Sequence, residues 1–138
     1  MKMMKRLLRF FVALILISGL SQFSLAAGGG GGGDTPYFDL TAPFVVNINS
    51  DDGLVFLQVN AQFKVKKPEV KTHLNTHMPA IRHTMMLVLS EQTQNAVRSV
   101  AGKEKLRAST LKEVQTLLKE QIGDEAIDEI YFTGFIIQ

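Results

Sequence analysis

The 138-residue sequence contains no cysteine. That excludes a disulfide-stapled scaffold, a thiol nucleophile, a thiolate metal site and a lipid-modified N-terminal cysteine. Tryptophan is also missing, so nine phenylalanines carry most of the aromatic mass. No G-x-S-x-G elbow and no Walker motif occurs. Charged residues make up only 20% of the chain and hydrophobic residues 46%, a globular composition with room for one domain rather than two. Basic surface is scarce as well, despite a pI near 9.0. Lys2, Lys5, Arg6 and Arg9 all fall in the first nine residues, and without them 11 basic residues face 13 acidic ones. The basicity belongs to an N-terminal address, and a nucleic-acid-binding surface is excluded.

Beyond those charges the chain is apolar from Phe10 through Ile17, and then more polar to Ala27. Two readings of residues 1–27 stand. As a signal peptide, the segment has a basic start, an apolar centre and small residues at Ser24 and Ala26, with cleavage before Ala27. As a signal anchor, Phe10 to Ala27 supplies 18 residues, a helix of roughly 27 Å that marginally crosses a bilayer. Both leave the positive charge in the cytoplasm and export the rest, with a bacterial periplasm as the compartment. Gly28 to Gly33 is an unbroken glycine run. It matches a dinucleotide fingerprint only trivially, because it follows no strand and opens no helix. Residues 28–36 read as a flexible linker.

The folded part is expected over 37–138. Tyr37–Leu40 and Phe44–Ile48 read as short strands separated by Pro43. Asn49 to Gly53 is dense in turn formers, and Leu54 to Val65 alternates, with Val55, Leu57, Val59, Ala61, Phe63 and Val65 on one face. That predicts an antiparallel hairpin buried on one side. Pro68 and Pro79 suit helix starts. Short helical pieces are expected over 69–76, 79–90 and 92–100, with Gly102 as a stop or hinge. A longer helix over 103–122 carries the stripe Leu106, Leu111, Val114, Leu117, Leu118 and Ile122, with Thr110 and Glu113 as an alternative capping box. Gly123 ends it, residues 124–129 form an acidic connector, and 130–137, apolar on both faces, reads as a well-covered strand. The order β-β-α-α-β specifies an α+β fold, a small antiparallel sheet with packed helices around one core.

Chemistry-bearing clusters are few. His73 and His77 are four apart, as zinc ligands on a helix often are, with His83 nearby. No carboxylate lies between the first two, and solvated or packed helix histidines are the expected reading. Asp51 and Asp52 belong to a turn, and Asp124, Glu125, Asp128 and Glu129 to a solvated connector. Lys64, Lys66, Lys67 and Lys71 form a modest basic run, read as a solvated strand end. No catalytic, cofactor-binding or metal-ligating residue is assigned, and the protein is expected not to be an enzyme.

Several pieces taken together carry a resemblance. Phe44-Val45-Val46-Asn47-Ile48, Met78-Pro79-Ala80-Ile81-Arg82, Leu89-Ser90-Glu91-Gln92-Thr93, Gly102-Lys103-Glu104-Lys105-Leu106-Arg107 and the ending Ile130 to Gln138 appear in this order. The chain resembles the bacterial flagellar basal-body protein family FliL over 37–138. It departs from the family's usual pattern in its glycine linker and in His83, where an aspartate commonly follows the P-x-I-R arginine. The resemblance implies a domain similar to the stomatin-like (SPFH) fold, held in the periplasm by an inner-membrane span at the flagellar basal body. It implies a non-enzymatic accessory of the motor, associated with the stator and basal-body proteins, supporting torque, swimming, swarming and chemotaxis. A homo-oligomeric ring would need a two-sided, head-to-tail interface. No cofactor is implied. Arg82 in P-x-I-R, with Lys103 and Arg107 in G-K-x-x-L-R, are the candidate partner-binding residues, with a structural role for the arginines the alternative. A periplasmic or membrane-proximal stomatin-like scaffold unrelated to motility is the other functional reading.

Overall fold

The computed structural model describes residues 36–138. The export segment 1–27 and the glycine run of the linker lie outside the described residues. The elements are β1 (Tyr37–Ser50), β2 (Gly53–Val65), α1 (Val70–Thr76), α2 (Met78–Ser90), α3 (Gln94–Arg98), α4 (Val100–Ile122) and β3 (Ile127–Ile137). The three strands form one antiparallel sheet in the order β1-β2-β3, so β2 is central and both other strands are edges. The α+β class and the antiparallel sheet match the expectation. The described residues hold four helices, as many as the expected helical pieces, where the shorthand order β-β-α-α-β has two.

Alternation decides the sheet. Leu57, Val59, Ala61, Phe63 and Val65 of β2 are all buried, while Asn60 is exposed and Gln58, Gln62 and Lys64 are partly so. The hairpin closes with Ser50 opposite Gly53. Ser50 Oγ accepts a hydrogen bond from the Asp52 backbone N–H at 3.1 Å, and Gly53 adopts φ +119°, a conformation that favours glycine.

The separate strands expected on either side of Pro43 are one strand with an irregularity. Leu40 pairs with Ala61 and Phe44 with Val59, so four steps along β1 face two along β2. The even offset keeps Leu40 and Phe44 on the buried face. Pro43 has no N–H to contribute and is tolerated because it sits in a bulge on an edge strand.

The helices cover one face of the sheet: α2 packs against β1 and α4, and α4 against β3. Pro79 lies in the first turn of α2 as expected. Helix α4 begins at Val100, earlier than its hydrophobic stripe suggests, because Ser99 is extended and its Oγ accepts from the Gly102 N–H at 3.0 Å. Gly102 is therefore in the first turn of α4 and is not a stop. Thr110 is not a cap either. It is buried mid-helix, and its hydroxyl donates to the Leu106 carbonyl at 2.8 Å. The fully buried stripe is Leu106, Thr110, Val114 and Leu118, spaced by fours, with Leu111, Leu117 and Ile122 flanking it. Gly123 ends the helix at φ +78°, donating its N–H to the Lys119 carbonyl.

Strand β3 starts three residues earlier than its apolar run, at Ile127, and is not well covered. Ile127 and Ile130 are buried, but Tyr131 and Ile136 are exposed and the last residues only partly covered. On the outer face of the sheet Leu54 and Phe56 are 69% and 58% exposed, and Val45 is also open. Among the described residues, no helix is long and apolar enough to cross a membrane.

Candidate functional site

The three candidate residues divide between the two edges of the sheet. Arg82, on α2, faces β1. Its Nη1 donates to the Ala42 carbonyl at 2.9 Å and its Nη2 to the Pro43 carbonyl at 3.0 Å, while the guanidinium lies 4.2 Å from the Phe44 ring centroid. The irregular stretch of β1 leaves carbonyls without ladder partners, and the planar fork of an arginine satisfies two of them at once. The end of the same edge is held by a bridge between Asn49 and Thr93, and by Asn95, which donates to Asp51 at 3.0 Å. The β1 edge is thus engaged at its bulge and at its hairpin end.

Lys103 and Arg107 lie together at the opposite edge. With Val100 they are spaced three and four apart, so all three share one face of α4. That face and Glu129, Phe132 and Phe135 of β3 enclose an open groove of roughly 700 Å³. Arg107 crosses its floor. Its Nε donates to Glu104 at 2.9 Å, and its Nη1 donates to the Glu129 carboxylate and reaches the Ile130 carbonyl at 3.5 Å. These hydrogen bonds, Glu104's foremost, raise the Arg107 pKa further and keep it charged. Arg107 thereby pins α4 to β3. Lys103 is different: its ammonium lies 5.0 Å from the Phe135 ring centroid, and no carboxylate among the described residues pairs with it.

The groove is apolar at one end and ionic at the other. Val100, at the helix start, is 80% exposed. Phe132 and Phe135 are partly buried, with ring centroids 5.9 Å apart. Sequence reasoning placed Glu129 in a solvated connector, whereas it is in β3 and bonded to Arg107. It also passed over Val100, Phe132 and Phe135, because apolar residues at an element's end carry no sign of whether a neighbour covers them.

The histidines do not converge. His73 is exposed on α1, His77 links α1 to α2, and His83 is exposed on α2. Among the described residues no group of three or more His, Asp and Glu side chains is placed to hold a metal ion. Within the basic run, Lys66 is bonded to Glu125 at 2.9 Å and lies 3.9 Å from Asp124.

The family model described as flagellar basal body-associated protein FliL matches residues 37–138. The flagellar protein FliL of Aquifex aeolicus (strain VF5) is 29% identical over 101 residues, covering 73% of this chain and 60% of the relative. The protein of the same name from Escherichia coli (strain K12) is 21% identical over 104 residues, covering 75% of this chain and 66% of the relative. The match thus spans somewhat less than two thirds of each relative's own length.

Proposed function

The chain belongs to the FliL family of flagellar basal body-associated proteins, and we propose that it is a non-enzymatic accessory of the bacterial flagellar motor. In this reading the N-terminal segment holds the protein at the inner membrane, and residues 37–138 stand in the periplasm beside the ion-conducting stator. There the domain supports stator engagement and torque, and through them swimming, swarming and chemotactic movement. Its helix-covered sheet serves as a stomatin-like scaffold. The observation that carries the proposal is that the family match begins and ends with the described domain itself. Ring formation needs two different surfaces on one subunit. The open outer sheet face is available for one such contact and the helical face opposite it for another, which leaves the α4–β3 groove for other proteins of the motor. Lys103 and Arg107 belong to the groove. Arg82 is proposed to act on partners only through the β1 edge that it holds in place.

The test is swimming speed in an in-frame deletion strain, with filaments counted on the same cells and load varied by viscosity. Normal filament number with slower swimming, worst at high load, is expected. Unchanged motility at every load sinks the motor reading and favours a scaffold elsewhere in the envelope.

A further inference from the structure

Residues 131–137, Tyr-Phe-Thr-Gly-Phe-Ile-Ile, form an edge-strand segment with no charge and no proline. Such an edge is a template for pairing, and folded proteins normally blunt it with charges, prolines or a cover. The β1 edge is blunted in this way, by Pro43 and by Arg82. The first half of the β3 edge is also engaged from α4: Gln115 Nε2 donates to the Ile127 carbonyl at 2.9 Å, and Arg107 reaches that of Ile130. Among the described residues, none engages the second half.

The hydrogen-bond phase fixes which groups are open. Phe56 and Gln138 exchange both backbone bonds, at 2.8 and 2.9 Å. Antiparallel pairing alternates, so Ile136 and Gly134 also bond to β2, at Gln58 and Asn60. The N–H and C=O groups of Phe135 and Ile137 therefore point away from the sheet. They open beside the α4–β3 groove, where Val100, Phe132 and Phe135 offer apolar surface and Lys103 a cation with no carboxylate partner among the described residues.

We propose that the 132–137 edge of β3 is a strand-addition site for an extended peptide segment of a partner protein. The segment carries apolar side chains at alternate positions and a carboxylate that meets Lys103. Main-chain bonds to Phe135 and Ile137 supply affinity, and the groove reads every second side chain. The lining's two cations and two carboxylates balance, but both carboxylates are bonded to Arg107, so among the described residues Lys103 is the groove cation with no carboxylate partner, and it favours a carboxylate locally, at the Phe135 end. A second copy of this chain is a poor source of the added strand: its β1 is interrupted at Pro43 and held there by Arg82, and the stretch beyond, Phe44 to Ile48, carries no carboxylate to meet Lys103. The inference goes beyond the motor reading, since it concerns how this edge binds and not which machine it serves.

The probe is a capped peptide of about eight residues, valine alternating with threonine and one aspartate among the valines. It is titrated into the isotope-labelled full chain in detergent and followed at the amides. Saturable binding is expected, with the Phe135 and Ile137 N–H groups shifted and slowed in exchange. Lys103→Glu weakens it about fivefold, and replacing the peptide's aspartate by lysine restores it. N-methylating alternate peptide nitrogens, or introducing Thr133→Lys on the edge with an unchanged melting temperature, reduces affinity by on the order of tenfold or more. Equal binding of the N-methylated peptide overturns strand addition, as does the absence of any shift at millimolar peptide. Protection of both amides in the peptide-free chain that is lost on dilution also overturns it, because a second copy then occupies the edge.

Discussion

The backbone carbonyl of Ala96 closes over Gly102: a Cβ built on that glycine lies 1.6 Å from the Ala96 oxygen. The contact forms where the chain leaves α3, passes through the extended Ser99 and turns into α4. Gly102 is needed there for close approach, not for an unusual φ.

Gly102→Ala is accordingly expected to be severe for a single methyl group. The clash is with backbone, which no rotamer change relieves, so the α3–α4 junction itself has to move. A loss of about 2–4 kcal/mol is expected, measured by denaturant unfolding. A variant within about 0.5 kcal/mol of the parent means the junction is loose and the close approach is not a constraint.

Legibility in the sequence depends on range. The β2 alternation names its own buried face, because period two is a local property that only one register satisfies. The start of α4 is also legible in principle, since Ser99 three residues before Gly102 is an N-cap signal, but the glycine points toward a stop. Arg82 is not legible. Its partners are the carbonyls of Ala42 and Pro43, some 40 residues away along the chain, and they need it only because β1 has a bulge. The open edge of β3 is hidden because a segment apolar on both faces implies burial, and no local pattern says that the helix packed beside it leaves half its edge open. Lys103 and Arg107 are placed together by helical spacing alone.

Arg82 holds a bulge, so its removal is expected to act through β1. Arg82→Ala frees two carbonyls and removes the stack on Phe44, for an expected loss of about 1–3 kcal/mol. Arg82→Lys recovers only part, because one ammonium cannot reproduce a planar two-pronged donor. Hydrogen exchange at residues 40–44 is expected to quicken in both variants. A charge-reversed variant of unchanged stability that loses binding to motor proteins instead makes Arg82 a contact residue.

Acid is expected to loosen the α4–β3 connection. The Ala126 N–H, donated to Asp124 Oδ1 at 2.9 Å, holds the Asp124 pKa below its ordinary value, and the Lys66 ammonium does the same for Glu125. The same bond secures Ala126 at φ +63°, a left-handed conformation unusual for a residue with a side chain. Both carboxylates bind protons more weakly folded than unfolded. Their stabilisation is therefore complete above the ordinary carboxylate range and fades as pH falls through it and below. Lys66 is shifted upward, chiefly by its hydrogen bond to Glu125, so its own contribution persists through neutral pH and fades only on the alkaline side as pH climbs past the ordinary lysine value. Melting temperatures recorded from about pH 6 down to about pH 3 are expected to fall less steeply in Asp124→Asn, which keeps the acceptor for Ala126 but cannot titrate. An unchanged slope shows that other carboxylates govern the acid side.

The two partners of Arg107 are expected to differ in weight. Glu104 is three residues away on the same helix, and its side chain is 61% exposed. Pairs of this kind contribute up to about 0.5 kcal/mol, so Glu104→Gln is expected to be nearly silent. Glu129 is on β3, with its side chain 39% exposed, and ties the strand to the helix through Arg107, whose side chain is only 25% exposed. Glu129→Gln is expected to cost about 1 kcal/mol, and Arg107→Ala about 2 kcal/mol, since it also strips a donor from the Ile130 carbonyl. Denaturant unfolding of the single and double variants separates these terms: Arg107 and Glu129 are expected to be coupled, Arg107 and Glu104 almost additive. Strong coupling to Glu104 with none to Glu129 means that the ionic end of the groove is organised by α4 alone, and that β3 is not held by it.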